Sequence, residues 1–367
     1  QDLGVTAIWL APIYKNKPVQ YHPGGVSAGY HGYWITDFLN VDPHFGSKEE
    51  LKAFVDAAHD RNMKVILDIV TNHTADVIKY KECHSISDPN GPIAADAPRC
   101  GYRSIAEFPY DTLDSPDFPY TPFVDPIEQD IKNPSWLNNS LYYHNRGETH
   151  WEGESAQFGD FAGLDDLLTE HPKVLEGMIN IFKYWISEFK VDGFRVDTVK
   201  HVDDQFWQHF VPAIEAHAQS EDIPQFAIFG EVYNTDPEAL ARFTHEAAFP
   251  AVLDFAFQDA ARAFISKEEG ADALIALYKS DSAYSDLTNN AFKLPTFLGN
   301  HDMGRIGHFL LKDDETINAE TLVKKSVLGH ALMLFARGVP VIYYGDEQGF
   351  TGDGHDQDAR EDMFPSK

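Results

Sequence analysis

Cysteine is nearly absent from this chain: there are two, Cys83 and Cys100, both in one irregular segment. A pair that close in a polar loop fits a disulfide, which needs an oxidising compartment and so points to an extracellular or periplasmic protein. A zinc site is disfavoured, because His84 beside Cys83 has no second thiol pair at zinc spacing. Basic residues are also scarce, 29 against 58 acidic ones, for a net charge of -29. Binding to nucleic acid or to an anionic membrane draws on clustered Lys and Arg, so neither is expected as a partner. No run is long and apolar enough to span a bilayer, and no internal repeat or low-complexity tract breaks the chain. A glycine-rich phosphate loop after a strand is missing too, which argues against a doubly wound nucleotide-binding sheet.

What is present is an apolar share of 43% in 367 residues, enough for a large core. Short apolar runs alternate with amphipathic helical stretches, the pattern of repeated βα units. Candidate strands are Val5 to Leu10, Val65 to Val70, Gly193 to Val196, Ala227 to Val232, Ala251 to Phe255, Leu294 to Leu298 and Val339 to Tyr344. In SKEELKAFVDAAHDRN, Ser47 can cap a helix and Glu50 can close a capping box, with Leu51, Phe54, Val55 and Ala58 facing the sheet. Between Asn72 and about Leu164 the alternation collapses into a Pro-, Asp-, Tyr- and Trp-rich stretch, read as a functional insertion or subdomain. Trp136, Tyr142, Tyr143 and Trp151 lie in it, suited equally to sugar-ring stacking and to core packing.

Three acids, Asp197, Glu231 and Asp302, each follow an apolar run that reads as a buried strand: VDGFRVDTVKH, FAIFGEVYN and LPTFLGNHD. Carboxylates at the ends of separate strands describe the active-site face of a (β/α)8 barrel. Paired carboxylates suit glycoside hydrolysis, one attacking the anomeric carbon and one protonating the leaving oxygen. Arg195 stands two residues before Asp197, so on a strand both side chains share a side, and the guanidinium would keep the carboxylate ionised. Glu231 must hold its proton until the leaving oxygen takes it, and the apolar FAIFG suits that.

The segments GVTAIWLAP, DIVTNH, GLDDLL, GFRVDTVKH, GEVY, FLGNHD and GVPVIYYGDEQ, in this order, resemble the signature regions of the α-amylase family of glycoside hydrolases from Gly4 to Gln348. The resemblance implies a (β/α)8 barrel, residues 1–73 and 165–367, with a subdomain, 74–164, inserted after the third strand. It makes Asp197 the nucleophile, Glu231 the general acid and base, and Asp302 the group that fixes sugar hydroxyls and favours ring distortion. It puts His31, His73 and His301 on the sugar at the cleavage point, and Tyr33 beneath it as a stacking platform. Lys200 and His201 match a pair on the leaving side, favouring an endo-acting α-1,4-glucanase over α-1,6-glucosidases. Asp356 and Arg360 match contacts to the next sugar toward the non-reducing end.

A structural calcium ion is also implied, held by Asn72, Asp166 and the backbone carbonyl of His201; such oxygen donors suit Ca2+. In GLDDLL, Asp165 and Leu168 replace a usual proline and aspartate, but Asp166 is kept. The family's usual first strand and its β-sandwich after the barrel have no counterpart here, so the sequence is expected to be an excerpt of a longer chain. The reading is thus a retaining hydrolase of internal α-1,4 bonds in starch or maltooligosaccharides. The alternatives are a glucanotransferase, neopullulanase or α-glucosidase with the same triad, or a catalytically silent glucan-binding module.

Overall fold

A computed structural model of the chain describes residues 3–22, 25–91, 100–109, 113–115, 117–354 and 357–364. It comprises two compact units, Gln1–Ile228 and Phe229–Lys367. The first unit begins with β1 (Ala7–Leu10), β2 (Tyr14–Asn16), β3 (Val19–His22), β4 (Gly25–Ala28) and β5 (Ile35–Val41), followed by α1 (Lys48–His59) and β6 (Lys64–Ile69). The irregular stretch contributes β7 (His73–Thr74), β8 (Ile78–Tyr80), β9 (Pro122–Val124), the short α2 (Ser155–Phe158) and β10 (Asp165–Asp166). Regular alternation returns with α3 (Pro172–Phe189), β11 (Gly193–Val196), α4 (Asp204–Ser220) and β12 (Ala227–Gly230).

β1, β6 and β11 form a parallel sheet, with Ile8 opposite Val65 and Phe194 opposite Leu67. Ala227 extends it by donating to the Asp192 carbonyl. Parallel strands covered by helices must be apolar on both faces, and Val65, Leu67, Ile69, Phe194 and Val196 are all fully buried. The capping box opens α1 as expected: Glu50 N–H donates to Ser47 Oγ, and Ser47 N–H returns to the Glu50 carboxylate at 2.8 Å. Leu51, Val55 and Ala58 are buried, but Phe54 is 37% exposed. The other three make an i, i+4, i+7 stripe, and Phe54 falls at its edge. α3 and α4 close the layer through Phe182, Phe194 and Phe210, whose rings meet edge-on.

The second unit holds α5 (Pro237–His245), α6 (Phe255–Ile265), α7 (Asp272–Ser280), β13 (Pro295–Thr296), α8 (Ile306–Asp313), α9 (Ala319–Phe335) and β14 (Val339–Pro340). β13 and β14 pair in parallel. The strand expected over Ala251 to Phe255 shrinks to a single bridge between Val252 and Gly230. Asp254 ends it: its carboxylate caps α6 by accepting the Phe257 N–H at 2.8 Å, so Phe255 is already helical. The expected strands at Leu294 to Leu298 and Val339 to Tyr344 each keep two paired residues.

Candidate active site

In the first unit the site grows from strand register. Arg195 on β11 lies directly opposite Asp68 on β6. Its guanidinium is fully buried, and Nη1 donates to Asp68 Oδ1 at 2.8 Å and to Asp197 Oδ1 at 2.7 Å. One permanent cation thus serves two carboxylates, which favours their ionised forms. Asp68 is held in turn by the Trp9 indole N–H at 3.1 Å and by the Tyr33 hydroxyl at 3.2 Å. Tyr33 also stacks on His31, whose Nδ1 accepts the Tyr33 N–H at 3.0 Å. Thr198, next after Asp197, has φ of 50°, an uncommon conformation for a β-branched residue, and leads into the 3-10 turn Val199–His201.

His73 sits on β7, one residue after Asn72, stacked face to face on Phe161 at 5.2 Å. Burial, then the charges of His201 and His31, push its pKa down to about 3, so the ring is neutral. Its buried Nε2 makes no hydrogen bond of normal geometry among the described residues, and the Tyr33 backbone only tempers the shift. A buried polar atom left this way calls for a partner from outside the chain, a water, an ion or a ligand. His201 is oriented by the Ala156 carbonyl at 2.6 Å and meets Phe161 and Trp151 edge-on. Lys200 precedes it on the same turn, half-buried.

The proposed metal ligands come together through β7 and β10, whose antiparallel pairing sets Asp166 opposite His73. Asn72 and Asp166 are both buried. Burial raises the Asp166 carboxyl to about 7 against the pull of His144 and Asn72. His144 Nδ1 lies 2.6 Å from Asp166 and Nε2 lies 3.0 Å from Glu170. Burial alone would lower the His144 pKa, but Glu170 and Asp166 together raise it to about 10. Cys83 and Cys100 are joined in a disulfide, Cα atoms 5.7 Å apart.

In the second unit Glu231 is buried just past β12. Asp302 is set by a tight turn in which Asn300 Oδ1 accepts the N–H groups of Asp302 and Met303. Gly304 completes that turn at φ 96°, where a side chain would be strained. Asp302 is 45% exposed at its side chain and lies 3.2 Å from His301 Nε2. Arg360 closes a turn on the Gln357 carbonyl at 3.0 Å. Asp356 lies outside the described residues.

Sequence reasoning passed over Asp68, Trp9, Phe161 and His144. Asp68 had a signal, an acid inside the apolar run VILDIV. Trp9 stood in the segment GVTAIWLAP, whereas Phe161 and His144 lie in the irregular stretch, where no local pattern marks them.

These features define a protein of the α/β class, built on parallel strands covered by helices, with acids at strand ends. A solved Anoxybacillus α-amylase superposes with a TM-score of 0.72 at 29% identity, covering 100% of this chain and 65% of that one. The chain belongs to the α-amylase family: it matches the Alpha amylase, catalytic domain family over residues 1–366. Its fold class is therefore α/β of the (β/α)8 type, as the alternation of elements led us to expect. It is 47% identical to an alpha-amylase of Streptomyces lividans over 100% of this chain and 40% of that protein. It is 30% identical to a cyclomaltodextrinase of Geobacillus thermopakistaniensis over 99% of this chain and 49% of that protein. The chain thus spans less than half the length of these two relatives.

Proposed function

We propose that the chain is a retaining hydrolase of internal α-1,4-glucosidic bonds in starch or maltooligosaccharides. The observation that carries this reading is the clamp on Asp197, whose Oδ1 is fixed by a buried arginine it shares with Asp68. A buried carboxylate held ionised beside a permanent cation is fitted for attack on the anomeric carbon, the part a nucleophile plays. Glu231 then gives its proton to the leaving oxygen and afterwards takes one from water. Asp302 and His301 accept and donate to sugar hydroxyls. Neutral His73 offers an N–H where a charged ring would pay heavily for burial. His31, Tyr33, Lys200, His201, Asp356 and Arg360 bind sugars on either side of the scissile bond. Residues 74–164 act as a subdomain that shapes the cleft, and its disulfide supports secretion to an extracellular or periplasmic space.

A calcium ion fits Asn72 and Asp166, two buried, adjacent oxygen donors, with the His201 carbonyl as the third. When bound it supplies a fixed positive charge that ties the 74–164 segment to the ends of β6 and β11. His144 Nδ1 lies 2.6 Å from Asp166 Oδ2, so an ion held by Asp166 would share that carboxylate with the ring.

Product analysis tests the reaction. Maltoheptaose should yield internal cleavage products whose new ends are first of the α anomer, seen by proton NMR. Transfer or cyclic products would favour the glucanotransferase alternative, and β products would end the retaining assignment. Asp197→Asn should lower kcat by at least about a thousandfold while oligosaccharide binding survives; turnover within tenfold of the parent rejects Asp197 as the nucleophile. Exhaustive chelation should lower Tm and activity together, with Tm restored by Ca2+ in the parent but not in Asp166→Ala. A parent whose Tm ignores chelator has no such ion.

A further inference from the structure

An open groove of about 500 Å3 runs along the outer face of α3 in the first unit and shares no residue with the carboxylate site. Its floor is apolar, with Leu39 of β5 and Ile181 of α3 beneath. Gly177, Ile181 and Tyr184 lie on one helix stripe at i, i+4 and i+7. Trp136, carried by the 3-10 turn Ser135–Asn138, lies across that stripe. A side chain at position 177 would come within 2.4 Å of the indole, so the glycine is what lets the ring lie against the helix. Tyr142 braces Trp136 from behind, edge-on at 5.9 Å. The groove thus presents the fixed ring of Trp136, with Tyr184 beside it as a second ring over which the Lys48 ammonium sits at 5.2 Å.

Around these rings stand polar groups without internal partners. Among the described residues, the Trp136 N–H, the Asn180 amide and the Tyr184 hydroxyl make no hydrogen bond within the protein. The lining carries one positive and one negative side chain, Lys173 and Glu176, in a chain of net charge -29. An anionic ligand finds no cluster of cations here, and a cation finds no cluster of acids. A ligand that suits the groove is neutral, has flat apolar faces for the rings and carries hydroxyls at its edges. A sugar ring meets all three conditions, and the volume is that of a small-molecule site. We infer that this groove binds a stretch of α-glucan chain, holding polymer to the enzyme away from the bond being cut. The sugar class rests on the α-glucan reading given above.

The test compares adsorption to granular starch with turnover of a short chromogenic maltooligosaccharide, too short to reach both places. Trp136→Ala should weaken adsorption by about tenfold, the scale of one lost aromatic contact. Asn180→Ala, a change at an exposed amide that leaves the fold alone, should weaken it by about threefold. In both, kcat/KM on the short substrate should stay within about twofold of the parent, given that the groove shares no side chain with the site. Unchanged adsorption in both variants overturns the groove as a glucan site. So does a Trp136→Ala protein that loses adsorption and short-substrate turnover in step while Asn180→Ala loses neither, because the indole is then structural. A parent that adsorbs through the groove yet fails to cut the short substrate sinks the hydrolase reading and leaves the groove standing.

Discussion

Trp185 and Lys132 are both buried in the first unit, one among rings and the other among oxygens. Trp185, on α3, stacks on Phe189 at 4.9 Å, meets Tyr14 edge-on and donates its indole N–H to the Phe38 carbonyl. Its surroundings are what periodic elements produce: each helix or strand brings an apolar face, and the faces interlock. Lys132, in the 74–164 segment, reaches Asp165 at 2.5 Å and the Tyr143 hydroxyl at 3.0 Å. Asp165 in turn accepts the N–H groups of Val77 and Ile78. Lys79 with Asp76 and Lys17 with Glu128 repeat the arrangement nearby. A segment with almost no regular structure leaves backbone groups unpaired, and buried charged side chains satisfy them. The two regions teach that equal burial can rest on apolar packing in one place and on a polar network in another.

Two substitutions of similar cost should therefore fail differently. Trp185→Ala should lose about 3–5 kcal/mol, as large-to-small changes of a buried aromatic do. Lys132→Met, by leaving the Asp165 charge buried and unpaired, should also lose about 3–5 kcal/mol. Hydrogen exchange separates them: the first should raise exchange across the sheet and helices, the second chiefly around Val77, Ile78 and Tyr143. Equal, uniform exchange in both variants would erase the distinction.

The disulfide belongs to the polar region and should affect it alone. Cys83 and Cys100 are 17 residues apart, and closing a loop of that length is worth about 3 kcal/mol in the chain-entropy account. Cys83→Ser with Cys100→Ser should open residues 78–124 to proteolysis at a temperature where α3 stays resistant. Resistance matching the parent's throughout would mean the charged network holds the segment unaided.

The smallest effect expected is on pH dependence. Burial raises the Asp165 carboxyl to about 6 against the pull of Lys132, and Asp166 to about 7. Such groups hold protons in the folded chain that the unfolded chain has released. Their contribution to stability is thus greatest below the unfolded value and falls as pH rises from about 4 to about 7. His144, raised to about 10, contributes below its ordinary value, and that contribution is lost as pH climbs from about 6.5 to 10. Both terms weaken the polar region with rising pH. In chelator-treated protein the opening free energy at the Val77 and Ile78 amides should drop by at least about 2 kcal/mol between pH 4.5 and 7, the share of Asp165 alone, while that at Ile186 and Phe189 stays level. A rise at Val77 over this interval would contradict the assigned directions.

Much of the protein was written locally. The Ser47–Glu50 capping box, the parallel strands at β1, β6 and β11, the Cys83–Cys100 pairing and the approach of Arg195 to Asp197 all follow from neighbours in sequence or from a two-residue strand repeat. Those signals fixed the α/β class and picked out the acids, because periodicity and short spacings act within one element. Other features needed the folded chain. Val252 is cut to a single bridge because Asp254 begins a helix, Phe54 turns out of the core, and Asp68 becomes Arg195's second carboxylate only when β6 and β11 come into register. His144 beside Asp166 and Trp136 across Gly177 join residues 22 and 41 positions apart. No local pattern encodes such pairs, since what brings them together is the burial of faces that belong to different elements.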